Sequence, residues 1–337
     1  MRFSIIVPVY NAKPWVQQCV EAVAAQNEGG ELCEMLLVDD GSTDGSAAVC
    51  RQMAERYPWV HCFSESNSGP ATARNLGMDH AQGEYLWFVD ADDQIAPDAL
   101  QALSRCIEAN NHPDAICFNY RYVHADSHAD VADFTTEATI APAIDIALTR
   151  VKIFAWNRIH RREAIAGVRW PDGLINTEDY YFSLTALTRI KSLVTLPQVL
   201  YYYNCTNPNS TLRTRNVRNV VRNRNHTLEI HRRLVADIAR CTNAHTRQVL
   251  ESSLGVTISG QLFCALHDHT PHFVHRTIAE YRRLEVYPVG KTHNAKANAF
   301  LRIANHEWLL LTALRLRQLL NIISHRFHFL VSHRSHR

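Results

Sequence analysis

Short, continuous apolar runs alternate with stretches of 10–14 residues in the first 120 positions of the chain. Uninterrupted apolar runs are typical of strands buried on both faces of a parallel sheet, and the stretches between them predict single helices. This alternation predicts an α/β fold with helices on both faces of the sheet. The predicted strands are 3–10, 34–39, 60–64, 83–90 and 115–120. The predicted helices are 13–25, a helix that follows the polar stretch 41–46 and ends at about residue 56, 71–80 and 96–109. Asn11 is expected to cap the first helix, which has Pro14 in its first turn.

Polar residues follow three of these runs, at Tyr10-Asn11, Asp39-Asp40 and Asp90-Ala91-Asp92. In open α/β sheets, ligands bind in the crevice outside the carboxyl ends of the strands. The sequence therefore predicts a ligand site at that edge of the sheet.

The run 83–90 ends in three carboxylates, Asp90, Asp92 and Asp93. Clustered carboxylates repel one another unless a positive charge lies among them. Asp90 and Asp92 are two positions apart and are expected to point the same way, which suits Mg²⁺ or Mn²⁺. The alternative is a solvated acidic turn in which Asp93 caps the following helix.

The polar residues at the strand ends fit a nucleoside diphosphate. A ring could stack on Tyr10, Asp39 or Asp40 could accept a hydrogen bond from the base, and Arg74 supplies positive charge. No Gly-x-Gly-x-x-Gly follows the first strand, which argues against a dinucleotide-binding fold, and no Walker-type phosphate loop is present.

Composition supports an intracellular protein. The chain has 337 residues, of which 46% are hydrophobic and 20% charged, enough for a sizeable core. Its nine cysteines include no Cys-x-x-Cys pair, which favours reduced thiols in the cytoplasm over disulfides or a zinc site. No secretory signal or membrane-spanning run is expected. Most of the 19 histidines are expected to be solvated.

Charge divides the chain into two halves. Residues 1–205 carry 15 Lys and Arg against 26 Asp and Glu, and residues 206–337 carry 20 against 7. The run 308–323 predicts an amphipathic helix with arginines and a tryptophan, followed by a basic end. Such a helix could lie on an anionic membrane, or it could pack its leucine face onto the rest of the protein. No nucleic-acid-binding motif is present, so we expect no nucleic-acid partner.

The order of several motifs resembles family 2 inverting glycosyltransferases of the GT-A fold, over about residues 3–212. The motifs that carry the resemblance are Ile6-Val-Pro-Val-Tyr-Asn11, Val38-Asp-Asp-Gly-Ser-Thr-Asp44, Asn67-Ser-Gly-Pro-Ala-Thr-Ala-Arg-Asn75, Gly83-Glu-Tyr with Asp90-Ala-Asp92, Trp156-Asn157-Arg158, Glu178-Asp179, and Tyr201-Tyr-Tyr with Asn209-Ser-Thr211.

The resemblance implies a nucleotide-sugar donor, usually a UDP-sugar, and a metal-binding Asp-x-Asp formed by Asp90 and Asp92. With Mn²⁺ or Mg²⁺ as the expected cofactor, the expected nucleotide-binding residues are Pro8, Tyr10, Asn11, Asp39, Asp40, Arg74 and Asp90.

Glu178 and Asp179 begin a predicted helix that Asn176 or Thr177 could cap. Their carboxylates could simply be stabilised by the helix dipole, which favours negative charge at the N-terminus of a helix. Inverting sugar transfer, however, requires one carboxylate to accept the proton of the attacking hydroxyl. The resemblance favours Asp179 as that base, with Glu178 beside it or in contact with the acceptor.

Two other segments lie between the motifs. His160, Arg161 and Arg162 are predicted to form a surface turn, although a role near the phosphates or the acceptor is possible. Residues 125–144 are low in aromatic residues and predict a mobile excursion that lines the acceptor side.

These observations predict a GT-A catalytic domain over residues 1–212 and a basic, mainly helical region over 213–337. The expected activity is transfer of a sugar to a surface glycan acceptor such as lipopolysaccharide, lipooligosaccharide, capsule or exopolysaccharide. The protein would work in the cytoplasm, in peripheral contact with the inner face of an anionic membrane. The alternatives are a non-catalytic nucleotide-sugar or glycan-binding protein on the same scaffold and, more weakly, a nucleotidyltransferase, which typically has a Gly-rich loop after the first strand that this chain lacks.

Overall fold

The structure is a computed structural model that describes residues 1–149, 154–175, 177–208, 217–268 and 271–316. The chain divides into two compact units, Met1–Ile230 and His231–Arg337. The predicted boundary at 212/213 lies outside the described residues and stays a prediction.

Ten strands of the first unit form one sheet, as the apolar runs predict for its first half. The strands are β1 Phe3–Val9, β2 Cys33–Asp40, β3 Val60–Glu65, β4 Tyr85–Phe88, β5 Gln94–Ile95, β6 Ala115–Val123, β7 His128–Val131, β8 Ala138–Ile140, β9 Arg158–Arg161 and β10 Leu193–Asn204. Their order is β3-β2-β1-β4-β9-β6-β10-β5, with β7 beside β6 and β8 beside β10.

The sheet combines a parallel half with antiparallel additions. Strands β3, β2, β1 and β4 run parallel, and β10 runs parallel to β6. Strand β9 is antiparallel to both of its neighbours, β4 and β6. Since β1, β2 and β4 are parallel and adjacent, the polar residues that follow them lie at one edge of the sheet, where the ligand site is predicted.

Helices cover both faces of this sheet. Those of the first unit are α1 Lys13–Ala24, α2 Ser46–Arg56, α3 Pro70–His80, α4 Ala99–Ala109 and α5 Glu178–Leu187. Residues of α1, α2 and α4 join the main hydrophobic core on one face, where Trp87 and Phe118 are fully buried. On the other face Phe88 packs edge-on against both Trp170 and Phe182.

Glycines allow two close approaches in this sheet. A Cβ on Gly77 of α3 would lie 2.4 Å from Ile6, so the helix packs directly on β1 there. A Cβ on Gly83 would lie 2.5 Å from the backbone of Phe3, which explains why the turn before β4 has no side chain at this position.

Several local expectations are wrong. Asn11 does not cap α1, because Ala12 occupies the N-cap position and makes no side-chain hydrogen bond. Helix α4 begins at Ala99, three residues later than predicted. The segment 125–144, predicted to be a mobile excursion on the acceptor side, contains β7 and β8, which extend the sheet, and its mobility and role stay predictions.

The predicted surface turn at His160 is also wrong. His160 lies in β9 and is fully buried, and its ring meets that of Phe182 edge-on at 5.9 Å. Arg161 pairs with Asp114, and the Arg162 Nε donates to the Gly83 carbonyl at 3.0 Å. His160 and Arg161 therefore lie in a strand of the sheet, and Arg162 directly follows that strand.

The second unit is helical, as its sequence pattern predicts. Helix α6, Val217–Arg240, contains the division between the units and is followed by α7 Ala244–Asp268, α8 Pro271–Arg283 and α9 Ala295–Ala304. Residues 307–316 form a further helix, and the rest of the predicted run 308–323 lies outside the described residues. His231 is buried against the Tyr281 hydroxyl, so the histidines are not all solvated.

Among the described residues, the helices are too short or too polar to cross a bilayer.

Candidate functional site

Arg74 connects the two acidic motifs. Its Nη2 donates to Asp90 Oδ1 at 2.9 Å, and its Nη1 lies 3.4 Å from Glu178 Oε1. The side chain of Arg74 comes from α3, Asp90 follows β4, and Glu178 begins α5. Burial opposes the charge of Arg74, but Asp90 and Glu178 outweigh it and raise the pKa of the guanidinium. The three groups form one charge network at the predicted edge of the sheet, in which Arg74 and Glu178 are buried and Asp90 is partly exposed.

Aromatic rings fix the position of Arg74. Its guanidinium carbon lies 4.4 Å from the centre of the Trp170 ring, a favourable cation–π geometry. The Trp170 ring stacks in turn on Phe182 at 4.2 Å, with an angle of 6° between the planes. Two hydrogen bonds join the Asn75 side chain to the backbone of Trp170. Asn75 Nδ2 donates to the Trp170 carbonyl, and Asn75 Oδ1 accepts from the Trp170 backbone amide. Arg74 therefore lies against a ring that is itself fixed.

The third acid of the strand end, Asp93, has a structural role. It accepts hydrogen bonds from the Tyr201 hydroxyl at 2.6 Å and from the Asn204 amide at 2.7 Å. Burial raises the pKa of Asp93 well above its usual value, and the charges of Asp90 and Asp92 raise it further. Asp93 does not cap α4, whose N-cap position is occupied by Asp98. It fixes the acidic turn to β10 instead.

Asp92 lies on the same turn. Its Oδ2 accepts a hydrogen bond from Asn207 Nδ2 at 2.7 Å. Burial and the charge of Asp90 both raise the pKa of Asp92. In the described part of the chain, no group of three or more His, Cys, Asp or Glu side chains is arranged to hold a metal ion.

Glu178 and Asp179 differ in their surroundings. Glu178 is 8% exposed, and burial followed by the charge of Asp179 raises its pKa to about 7, although Arg74 acts against this. Glu178 Oε2 is buried and makes no hydrogen bond to any described residue. Asp179 is only half-buried, and its Oδ1 accepts from the Tyr180 amide at 2.7 Å. Burial raises the pKa of Asp179 as well.

The start of α5 is not capped as expected. Thr177 occupies the N-cap position with a φ of 66° but makes no side-chain capping hydrogen bond. Asn176, the other candidate, lies outside the described residues.

The predicted base pocket combines an exposed ring with a buried acid. The Tyr10 side chain is 50% exposed at the end of β1, and Pro8 is the one half-buried position of that strand. Asp39 is buried, and its Oδ1 has no hydrogen-bond partner in the described structure. An unpaired buried acceptor is costly unless a ligand satisfies it. Asp39 is thus available to bind a donor group.

Asp40 and Asn11 organise loops instead. The Asp40 carboxylate accepts from the amides of Ser68 at 2.6 Å and Gly69 at 2.9 Å. Burial raises the pKa of Asp40, and the two amides act against this. Asn11 Oδ1 accepts from the Thr43 amide at 2.8 Å. These bonds join the loops after β1, β2 and β3 to one another.

The chain is similar to known glycosyltransferases. The family model described as "Glycosyl transferase family 2" matches residues 4–160. An uncharacterized glycosyltransferase of Haemophilus influenzae is 33% identical over 192 residues, which cover 57% of this chain and 74% of the relative. The chain belongs to glycosyl transferase family 2. Its predicted family is confirmed.

Solved structures confirm the GT-A fold. The crystal structure of residues 1–349 of Staphylococcus aureus TarS, in complex with UDP-GlcNAc, superposes with a TM-score of 0.74 at 20% identity. The alignment covers 94% of this chain and 92% of that one. In the curated proteins, TarS is described as a poly(ribitol-phosphate) beta-N-acetylglucosaminyltransferase.

The chain matches only part of the length of some relatives. It covers 62% of the length of EpsJ, an uncharacterized glycosyltransferase of Bacillus subtilis that is 29% identical over 215 residues. It covers 35% of the length of TarS.

Sequence reasoning missed the residues that support the site of this family 2 protein. Asn75, Trp170 and Asn207 were not predicted to have roles, yet Asn75 and Trp170 position Arg74, and Asn207 binds Asp92. Asn75 belongs to the motif that also contains Arg74, which was the available signal. Trp170 is separated from its partner by about 95 positions, and the local pattern gave no sign of the contact.

The raised pKa of Glu178 predicts a pH dependence of stability. A carboxyl group whose pKa is higher in the folded protein stabilises the fold at low pH and loses that contribution as the pH rises from the unfolded value of 4.5 through about 7. We expect Glu178→Gln to flatten the loss of unfolding free energy over this window, as measured by urea denaturation at several pH values. Glu55→Gln, at an exposed position, is the control and should keep the slope of the wild type. An unchanged slope in Glu178→Gln would contradict the assignment.

Proposed function

We propose that the protein transfers a sugar from a nucleotide-sugar donor, of the UDP type, to a hydroxyl group of a surface glycan, with inversion at the anomeric carbon. The observation that supports this proposal is the pair of contacts made by Arg74, with Asp90, the acid assigned to the donor, and with Glu178, the neighbour of the assigned base Asp179. Family membership and the fold shared with TarS, which was crystallised with UDP-GlcNAc, support the same conclusion.

The donor base would bind between Tyr10 and Asp39. The exposed Tyr10 ring offers a stacking surface, and Asp39 Oδ1 offers an unpaired acceptor for a base N–H. Pro8 lies at the same strand end, while Asn11 and Asp40 fix the loops that form the pocket walls. Arg74 supplies positive charge beside the diphosphate.

Asp90 and Asp92 would hold Mn²⁺ or Mg²⁺. Oxygen ligands at the end of a strand suit these ions, and substrate phosphates commonly complete their coordination. Burial raises the pKa of Asp92 and the charge of Asp90 raises it further, and a bound cation would relieve that second effect, the repulsion between the two carboxylates. When bound, the ion would neutralise charge that develops on the leaving diphosphate.

Asp179 would act as the general base. It is more exposed than Glu178, which is buried against Arg74, so Asp179 is the better placed to meet an acceptor hydroxyl. A single displacement needs only this proton acceptor on the acceptor side, because the charge of the leaving group is balanced elsewhere. Glu178 would position Arg74 and contact the acceptor.

The acceptor would be part of a bacterial surface polymer such as lipopolysaccharide, lipooligosaccharide, capsule or exopolysaccharide. The support is the description of TarS, a relative 26% identical over 207 residues that acts on poly(ribitol-phosphate).

A non-catalytic nucleotide-sugar-binding protein remains the alternative, but a binder has no need of a carboxylate placed as Asp179 is.

The second unit would contact an anionic membrane from the cytoplasmic side. Phe263 of α7 is 50% exposed and meets Phe300 of α9 edge-on at 5.5 Å. Ile303, one turn after Phe300, is 47% exposed, and Trp308 is 66% exposed. The exposed Arg302 adds positive charge next to this apolar surface. Exposed aromatic residues beside arginines favour the interface of an anionic bilayer.

The helix 307–316 was expected either to pack onto the rest of the protein or to lie on a membrane, and its apolar side chains are divided between buried and exposed positions. Leu310, Leu311 and Leu314 are buried, so this part of the helix does pack its leucine face within the protein. Trp308 and Leu316 are exposed and remain available to a membrane. Point variants therefore test membrane contact better than truncation, which would remove buried leucines.

Removal of the Asp92 carboxylate should abolish metal-dependent turnover of the donor. Asp92→Asn keeps the size of the side chain, so the fold should persist, as circular dichroism would show. Hydrolysis of a panel of nucleotide sugars with Mn²⁺ or Mg²⁺ is the measurement, and EDTA should silence the wild type. Activity of the variant near the wild-type level, or activity that survives EDTA, would rule out the metal assignment.

The Asp179→Asn variant should lose transfer and keep donor binding. General base catalysis typically contributes ~10²–10⁴-fold, so the rate should fall by about that factor. Calorimetric titration with UDP should give nearly the wild-type affinity, because the base faces the acceptor. Equal loss of UDP binding would mean that Asp179 supports the start of α5, and full activity would move the base to Glu178.

The membrane surface is tested by the double variant Phe263→Ser/Trp308→Ser. It should bind less to liposomes that contain anionic lipids, in a sedimentation assay at low salt, while donor hydrolysis is unchanged. Val221→Ser removes an apolar side chain that is 43% exposed in the first unit and serves as the matched control. If the double variant binds liposomes as well as the wild type does, the surface that contains Phe263 and Trp308 is not the membrane contact.

A further inference from the structure

Arg158 is a buried cation whose guanidinium is only partly satisfied. It lies in β9 and is fully buried. Its Nε donates to the Phe154 carbonyl at 3.0 Å, but Nη1 and Nη2 make no hydrogen bond to any described residue. A buried charge without a partner costs several kcal/mol, so a nearby opposite charge is expected.

The register of the sheet shows which way Arg158 faces. It pairs with Cys117 of β6, and His160, two positions later, points to the same face of the sheet. The His160 ring contacts Phe182 of α5. Arg158 therefore lies on the face that α5 covers.

Asp179 is on the matching face of α5. It precedes Phe182 by three positions, so the two side chains share one face of the helix, one turn apart. Arg158 likewise lies two strand positions from His160, about 6–7 Å along the sheet. Cys117 and Asp179 are the groups whose charges act on Arg158, against the burial that lowers the pKa of its guanidinium. Since burial raises the pKa of the Cys117 thiol, Asp179 is the anion of the two.

We propose that Arg158 is a positioning residue that keeps the Asp179 carboxylate ionised and directed toward the acceptor from beneath α5. The inference rests on the proposed role of Asp179 as the base. Other charges also face Asp179, namely Arg74 of α3, Asp90 after β4 and Glu178 on its own helix. Arg74 is shared with Asp90 and Glu178, whereas Arg158 pairs with neither.

The pairing itself can be tested without a substrate. Arg158→Met and Asp179→Asn each remove one charge and leave the other without this opposite charge, so each should lower the urea midpoint of unfolding. The double variant removes both charges and should be clearly less destabilised than the sum of the two single effects. Additive effects would overturn the pairing, whatever the role of Asp179 in catalysis.

The functional consequence is tested by a pH profile. The probe is hydrolysis of UDP-GlcNAc, UDP-glucose or UDP-galactose with Mn²⁺, whichever the wild type turns over fastest. Loss of a neighbouring opposite charge raises the pKa of a carboxyl group, so the acid limb of kcat/KM should move to higher pH in Arg158→Met. Arg158→Lys keeps the charge and should restore the limb.

His160→Gln is the matched control, because it alters a buried residue on the same face of β9 that carries no charge at neutral pH. Burial lowers the pKa of His160 to about 3. This variant should lose stability and keep the acid limb of the wild type. If Arg158→Met keeps the acid limb of the wild-type kcat/KM profile while Asp179→Asn is inactive, the role of Arg158 is overturned and the proposed base is not. An active Asp179→Asn would instead overturn the proposed base.

Discussion

The site depends on the burial of one guanidinium between two carboxylates. Arg74 is 8% exposed, and such a group is stable only if opposite charges compensate for the water it has lost. Asp90 and Glu178 supply that compensation from the end of β4 and the start of α5. Because each partner would be left as an uncompensated charge without the others, α3, β4 and α5 must meet at this point. The stacked rings of Trp170 and Phe182 then exclude water from one side of the network.

The acids at the strand ends have different physical roles. Asp93 and Asp40 accept hydrogen bonds from nearby backbone amides, and Asp93 also accepts one from the Tyr201 hydroxyl. These two acids therefore support the loops. Among the described residues, Asp39 keeps an unpaired oxygen, and Asp92 accepts a hydrogen bond from the side-chain amide of Asn207. A cluster that keeps negative charge beside a fixed arginine is suited to a ligand that brings both phosphate and a cation. This division of roles could not be inferred from the sequence, in which all these acids follow strands.

The fold was largely predictable because its first half is locally encoded. Strands β1, β2 and β4 are continuous apolar runs, so each one identifies itself. Strand β9 was missed because it contains Arg158 and His160, residue types that are rarely buried without partners. Its burial depends on β4 and β6, which lie far away in the chain. The contact between Asn75 and Trp170 escaped prediction for the same reason, whereas the acids of the site were found because they cluster in sequence.

The most direct test of the account is the anomeric configuration of the first product. In the proposed function, Asp179 takes the proton of the acceptor hydroxyl and no group of the protein attacks the anomeric carbon, so transfer would be one displacement with inversion. Proton NMR can follow hydrolysis of a UDP-sugar whose anomeric phosphate is α-linked, before the released sugar mutarotates, and it requires no knowledge of the natural acceptor. The account predicts that the β-anomer appears first. Initial release of the α-anomer would contradict it.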